Sequence, residues 1–389
     1  MHVLAVGNLY PPAAQGGYER IWVATMRALV DAGHQVTVLT TAPVPGAEVP
    51  AAVLEAERDA TAPRVVRELD WWWRNFAWPR FGLRARRRAE RHNARVLERE
   101  LRGVDVVAWW AMGGMSLSLL DRVRAAGVPA VGVVGDAWMV YGPRVDPWQR
   151  LQRRLGPLGR PADLAAGARW LFISDWVRER SREAAGDLPR AEVVRPGVDG
   201  RFAERAPAAW AWRLACVGRV EPRKGVDVAI EALAQLPAEA TLTVDGDAEP
   251  AYRAELEALA QRLGVAARVR FARSPSDRVA GAYAAADAVL FPVTWPEPWG
   301  LVPLEAMAVG RPVVATGTGG SGEYLADGDN ALVVAPGDAA ALAAAVRRLA
   351  ENGALRERLR AGGRATASRY TAAAFEAAVV RALEEEAAA

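Results

Sequence analysis

The chain of 389 residues holds a single cysteine, Cys216, and so forms no internal disulfide. A lone cysteine beside a hydrophobic stretch reads as a small buried side chain, compatible with a reducing cytoplasm. Histidine is nearly as scarce. His2, His34 and His92 are the only three, and their spacing does not form a close ligand cluster, so no metal is expected. No apolar run reaches the length of a membrane-crossing helix, and the short run at 2–6 breaks at once into a Gly/Asn/Pro turn, unlike a secretory signal. Lysine is the sharpest scarcity. Of 49 basic residues only Lys224 is a lysine, and a compact ammonium meets a phosphate differently from a guanidinium.

What is present suits a well-buried soluble protein: 51% of residues are apolar, and the length suggests two domains. The formal charge of +3 is modest, and no nucleic-acid-binding module is recognisable, so nucleic acid is not an expected partner. The most informative stretch is FPVTWPEPWGLVPLEAMAVGRPVVATGT at 291–318. Its apolar patterning predicts a buried strand over 288–293, a loop, a helix over 302–309 and a second strand over 312–315. In an open α/β sheet such a unit places ligands at the carboxyl ends of strands and beside helix N-termini. Glu297 then falls in the loop and Glu305 in the first turns of the helix, where both acids can face one crevice. The Pro, Trp and Gly of the loop fix its shape ahead of backbone N–H groups suited to phosphate.

EPWGLVPLE, with seven residues between Glu297 and Glu305, resembles the E-x7-E signature of retaining nucleotide-sugar glycosyltransferases, specifically glycosyltransferase family 4. The resemblance runs over nearly the whole chain, because separate motifs follow in the family's order. It implies an α/β GT-B fold, with two Rossmann-like domains facing a central cleft. Residues 1–195 would form an acceptor-binding domain, 196–210 a connection and 211–368 a nucleotide-sugar-binding domain. A final helix over 369–389 would cross back to the first domain.

The resemblance also implies roles. In GRVEPRKG, Gly218 permits a tight turn, while Arg219 and Lys224 would contact the donor diphosphate; read alone, Arg219 is better explained as solvated or paired with an acid such as Glu221. Glu297 would hold hydroxyls of the transferred sugar, N–H groups at Gly300, Leu301 and Val302 sugar or phosphate, and Glu305 the ribose. Arg273 and Ser274 are candidates for the base pocket, whereas Tyr283 reads as packing. Gly319 and Gly320 match a turn near the donor. In the N-terminal half Gly16 and Gly17 would approach phosphate.

Fixed cations stabilise charge that builds on the leaving phosphate. A well-placed donor is worth about 3 kcal/mol, roughly a hundredfold in rate. The leaving phosphate itself would assist the incoming acceptor, so no enzyme nucleophile is required.

One motif departs from the pattern. Many family members place a histidine and an aspartate together after the strand at 129–134, and here the pair is Gly135-Asp136. Asp136 could orient a hydroxyl, accept a proton, or cap its own turn. Trp109, Trp138 and Tyr141 are further acceptor-site candidates.

The catalytic set is therefore Arg219, Lys224, Glu297 and Asp136, acting on a nucleotide-sugar cosubstrate with no cofactor. UDP-sugar is favoured over GDP- or ADP-sugar. The expected reaction is retaining hexosyl transfer to a hydroxyl of a glycan, lipid-linked sugar or secondary metabolite. Glycoside hydrolysis or phosphorolysis on the same fold, and a non-catalytic sugar-nucleotide-binding regulator, stay open as alternatives. The segment at 70–102 joins Trp71, Trp72, Trp73, Phe76, Trp78 and Phe81 to an arginine-rich helix. It reads as a capping loop with a solvated helix, as aromatic faces that stack on an acceptor sugar, or as a peripheral contact with acidic membrane at the inner face. The oligomeric state is not legible.

Overall fold

The computed structural model describes residues 1–11, 16–42, 59, 62–70, 83–275 and 277–389. The aromatic cluster at 71–81 lies outside the described residues.

The first sheet is built from β1 (His2–Val6), β2 (Gln35–Thr41), β3 (Arg64–Leu69), β4 (Val106–Trp109), β5 (Ala130–Val134), β6 (Arg169–Phe172) and β7 (Ala191–Val193). Its seven strands run in the order β3-β2-β1-β4-β5-β6-β7. The second sheet holds β8 (Arg213–Val217), β9 (Thr241–Asp245), β10 (Val269–Ala272), β11 (Ala288–Phe291), β12 (Val313–Ala315) and β13 (Leu332–Val333), in the order β10-β9-β8-β11-β12-β13. Every pairing between named strands is parallel. Parallel sheets need cover on both faces, and the central strands show it: AVGVV of β5, AVLF of β11 and VVA of β12 are buried at every position. Both sheets are Rossmann-like. Their order reverses between β1 and β4 in the first and between β8 and β11 in the second, and these reversals open the crevices where open α/β sheets bind ligands.

The chain divides into two compact units, Met1–Arg195 with Phe375–Ala389, and Pro196–Ala374. The last helix, Ala372–Ala388, is tied to the first unit by Glu384 to His34 (3.0 Å), Glu385 to Arg169 (2.6 Å) and Glu386 to Arg190. Helix starts follow local chemistry: Ser174 caps Asp175–Ala185 by accepting from the Val177 amide, and Asn352 caps Gly353–Ala367 through Leu355. Cys216 sits in the second core beside Leu214, Ile230, Leu242 and Leu290, where burial pushes its thiol up to about 12. It is an inert packing residue, as its sequence context predicts.

The arginine-rich helix, Leu83–Glu100, is less uniform than its composition suggests. Arg86 is buried, donating to Asp146 through Nε (3.2 Å) and Nη2 (3.0 Å) and pairing with Glu90 (2.5 Å). Arg84, Arg87, Arg88, Arg91 and Arg95 share the exposed face. No helix among the described residues is long and apolar enough to cross a membrane.

Candidate functional site

In the second unit the crevice lies between the carboxyl ends of β8 and β11. After Val217 the backbone enters a left-handed turn at Gly218 (φ +116°), whose carbonyl comes so close to Gly246 that a Cβ there would stand 1.8 Å from it. A short turn then carries Pro222, Arg223 and Lys224, and ends on Gly225 (φ +67°). A Cβ on Gly225 would fall 2.0 Å from the Pro292 carbonyl oxygen, so the turn seats directly against the segment leaving β11. The Thr294 amide donates to the Arg223 carbonyl (3.0 Å), and the Arg223 guanidinium lies 4.1 Å over the Trp295 ring.

This docking brings the lone lysine to the first acid of the sequence motif. Lys224 Nζ donates to Glu297 Oε2 at 2.8 Å, and Trp295 Nε1 donates to the same oxygen at 2.9 Å. Both partners stay partly accessible, at 19% for the lysine side chain and 12% for the glutamate. The glutamate backbone is fixed independently: Gly320 N donates to Glu297 O (2.7 Å), and Glu297 bridges to Gly319. Gly319 has φ +64°, and a Cβ there would stand 2.4 Å from the Glu297 carbonyl oxygen. This glycine pair thus has a direct structural task, clamping the loop that carries Glu297.

Gly300 (φ +83°) starts the helix Leu301–Ala308 without a side-chain cap, and Pro303 in its first turn has no N–H. The Gly300 carbonyl accepts from the Tyr324 hydroxyl, which burial, followed by Glu297, Tyr370 and Glu305, raises well above its ordinary value and so keeps a donor. Trp299 is buried against Tyr324 and Tyr370, with Nε1 on the Pro196 carbonyl (2.9 Å). Glu305 is 4% exposed and accepts from the Tyr283 hydroxyl at 2.6 Å. Tyr283 is therefore packing, as its position in the sequence predicts, and also a donor to the second acid.

Other predicted residues separate from this pair. Arg219 pairs with Glu221 (3.7 Å), the alternative that the sequence left open. Ser274 gives its amide (2.7 Å) and hydroxyl (2.6 Å) to the buried Asp245, while Arg273 reaches out to Asp247 (2.5 Å) with 77% of its side chain exposed.

The first unit meets its own strand reversal differently. Beyond β1 and β4 stand the rings of Tyr10, Tyr18, Trp22 and Trp110, with Trp22 and Trp110 stacked at 5.7 Å. Gly16 precedes the helix Gly17–Asp31 in extended backbone and gives it no side-chain cap. Tyr18, in the first turn of that helix, donates to the Val133 carbonyl (2.6 Å) and lies against Gly135, where a Cβ would stand 2.1 Å from its ring. Its hydroxyl is held well above its ordinary value by burial, then by Asp136 and Glu19. A tyrosine ring fills the space that a side chain at 135 would need. Asp136 accepts from the Trp138 amide (3.1 Å) and the Tyr141 hydroxyl (2.8 Å), so it organises its own turn and the start of Trp138–Val145. Trp109 and Trp138 are buried, the latter edge-on to Trp170.

Comparison with known proteins bears on the family and the fold. A family profile described as Glycosyltransferase Family 4 matches residues 15–201, and one described as Glycosyl transferases group 1 matches 192–366. A D-inositol 3-phosphate glycosyltransferase of Frankia alni is 33% identical over 298 residues, 68% of this chain and 70% of that protein. The chain belongs to glycosyltransferase family 4. The match to a D-inositol 3-phosphate glycosyltransferase of Xylanimonas cellulosilytica is 38% identical over 204 residues but spans 47% of this chain and about half (48%) of that relative. The fold is that of a solved GT-B structure, Anabaena Alr3699/HepE in complex with UDP-glucose, with a TM-score of 0.75 at 22% identity over 99% of this chain and 100% of that one.

Within this family 4 chain, sequence reasoning did not anticipate the Tyr283–Glu305 bond, the Tyr324 bond to Gly300 or the Tyr18 ring on Gly135. Each joins residues far apart in sequence, and a lone tyrosine carries no local sign of its partner.

Proposed function

We propose that this protein is a retaining hexosyltransferase that moves a sugar from a nucleotide-sugar to an acceptor hydroxyl. The observation that carries the proposal is the Lys224–Glu297 bond at the strand reversal of the second sheet. It puts a cation for a leaving diphosphate beside an acid for sugar hydroxyls, on turns whose glycines leave no room for variation. Glu297 holds the ammonium in place, and a bound donor would take the ammonium with its phosphate and the carboxylate with its sugar. Charge developing on the phosphate would then meet a fixed cation in a site of low dielectric. Arg219 would swing from Glu221 to join it, as its accessible side chain permits. The amides of Gly300, Leu301 and Val302 at an uncapped helix start suit sugar or phosphate oxygens. Glu305, oriented by Tyr283, suits the ribose.

On this reading the second unit is the donor domain, with the base near Arg273 and Ser274, and the first is the acceptor domain, with Gly16 and Gly17 toward phosphate. Residues 196–210 are the connection, and Trp109, Asp136, Trp138 and Tyr141 shape the acceptor side. The UDP-glucose bound by the Anabaena structure supports a UDP-sugar donor. The single buried cysteine suits a cytoplasmic enzyme, and the exposed arginines of Leu83–Glu100 suit contact with acidic lipid at the inner face.

The test is turnover of UDP-, GDP- and ADP-sugars with a panel of acceptors, with the anomeric configuration of the product read by NMR. An α-linked product from an α-linked donor is expected. Inversion would overturn retention, release of free sugar at an undiminished rate without acceptor would indicate hydrolysis, and binding without turnover would indicate a regulator.

A further inference from the structure

The amino-terminal edge of the second sheet, opposite the Lys224 end, borders a partly open cavity of about 130 Å³ within the second unit. Its walls come from the segment 207–210 that leads to β8, from the 310–312 turn that leads to β12, and from one face of Gly353–Ala367. Three guanidinium groups line it: Arg311, Arg356 and Arg360. Acids are present but engaged. Asp287 is saturated by Arg213 (2.6 Å) and by the amides of Ala211 and Arg213 (2.9 Å each), and Glu357 pairs with Arg360 (2.7 Å).

Among the described residues Arg311 and Arg356 form no ion pair with a carboxylate. Arg311 is 3% exposed, and its contacts are main-chain oxygens, among them Arg205 O (3.0 Å) and Ala284 O (2.9 Å). Arg356 donates to Ala350 O (3.0 Å) and lies 5.3 Å over the Trp210 ring. Two donors of lining residues, Arg311 Nε and Trp210 Nε1, are buried and have no acceptor among the described residues. A buried donor left unmade and a buried cation left unpaired are each costly, and one small anion satisfies both. Burial, then the neighbouring Arg360, pull Arg311 below its ordinary value, against the opposing charge of Asp287.

We propose that this cavity is an anion site for a phosphate group, either inorganic phosphate or the phosphate of a small ester. Its volume holds about four waters at roughly 30 Å³ each, which accommodates a tetrahedral oxyanion. Planar guanidinium groups and an indole N–H suit its several oxygens. Occupancy would tie segment 207–210 to the turn that follows the Glu305 helix. The inference is independent of the donor site.

The experiment titrates inorganic phosphate, and separately methyl phosphate, into the full chain at constant ionic strength. Heat of binding and the unfolding temperature are read, with chloride as reference. The titration is repeated in Lys224→Ala, which removes the main phosphate contact proposed for the donor site. Saturable binding that survives Lys224→Ala is expected, together with a roughly fivefold loss of affinity in Trp210→Phe, which keeps the ring and drops one donor. Arg356→Gln, at the rim of the cavity, should lose at least as much while unfolding normally in chloride. Equal binding of methyl phosphate assigns an ester as a ligand, and binding of inorganic phosphate alone assigns the free ion. The proposal falls if neither anion binds saturably, or if binding vanishes in Lys224→Ala and is unchanged in Trp210→Phe.

Discussion

The two sheets reverse their strand order in the same way and fill the resulting crevices with opposite chemistry. At the β8/β11 ends stand a lysine, a glutamate and an uncapped helix start, held by glycine turns and still reached by solvent. At the β1/β4 ends stand four aromatic rings packed on one another and on glycine backbone. Topology supplies a crevice; side chains decide whether it presents charge or is packed by rings. A diphosphate leaving group needs fixed positive charge, so the polar crevice is the one assigned the donor.

Removing the charge should give the largest effect. Lys224→Ala is expected to lower kcat/KM for transfer roughly a hundredfold, about 3 kcal/mol in the barrier, because no other lysine exists to replace it. Denaturant unfolding should change little, since Glu297 keeps its bond from Trp295 and the lysine is partly exposed. Wild-type steady-state kinetics in this variant would break the contrast between the two crevices.

How much of that contrast was legible in the sequence depends on distance along the chain. The predicted strand, loop, helix, strand unit appears as Ala288–Phe291, Leu301–Ala308 and Val313–Ala315, because apolar runs and Pro/Gly punctuation are local signals. Glu297 and Lys224 could be singled out by spacing and by scarcity, yet their bond spans 73 positions and needed the fold. The strand Arg64–Leu69 and the helices Trp138–Val145 and Pro147–Arg154 were not anticipated. The first, RVVREL, is half charged and lacks the strict alternation that marks a strand, and the helix at 138–145 carries Pro143 inside it, which argues against a helix on local grounds. Arg86 was read with its solvated neighbours, because helical periodicity alone does not reveal a buried carboxylate from another element.

The aromatic crevice has its own test. A methyl group at 135 meets the Tyr18 ring at 2.1 Å, so Gly135→Ala should cost about 2 kcal/mol of unfolding free energy through overpacking. Truncating the ring makes room, and a double-mutant cycle with Tyr18→Ala should recover most of that cost as favourable coupling. Additive effects would show that the ring does not occupy the place of a side chain at 135.

A smaller effect is expected at the second acid. Tyr283→Phe removes the 2.6 Å donor to a carboxylate that is 4% exposed, a loss of about 1.5 kcal/mol in unfolding free energy. If Glu305 holds ribose, the same variant should raise KM for the donor more than it lowers kcat, because the contact would be made equally in ground and transition states. An unchanged KM would separate Glu305 from the donor and leave it as a packing element of its helix.

The smallest expected effect is at Arg273, and it tests how far the polar crevice extends. Its side chain is 77% exposed and its ion pair with Asp247, itself 65% exposed, is solvated on both partners. Exposed pairs contribute little, so Arg273→Ala should shift the unfolding midpoint within the range of ordinary surface substitutions. The neighbouring Ser274 is bound at two points to a buried aspartate, which fixes the backbone beside the arginine whether or not the guanidinium is present. If main-chain groups there hold the nucleotide base, Arg273→Ala should leave KM for the donor within twofold, whereas Asp245→Asn, which unsettles Ser274, should raise it. A large KM change in Arg273→Ala alone would move the recognition from the backbone to the side chain, and would extend the charged crevice outward from Lys224.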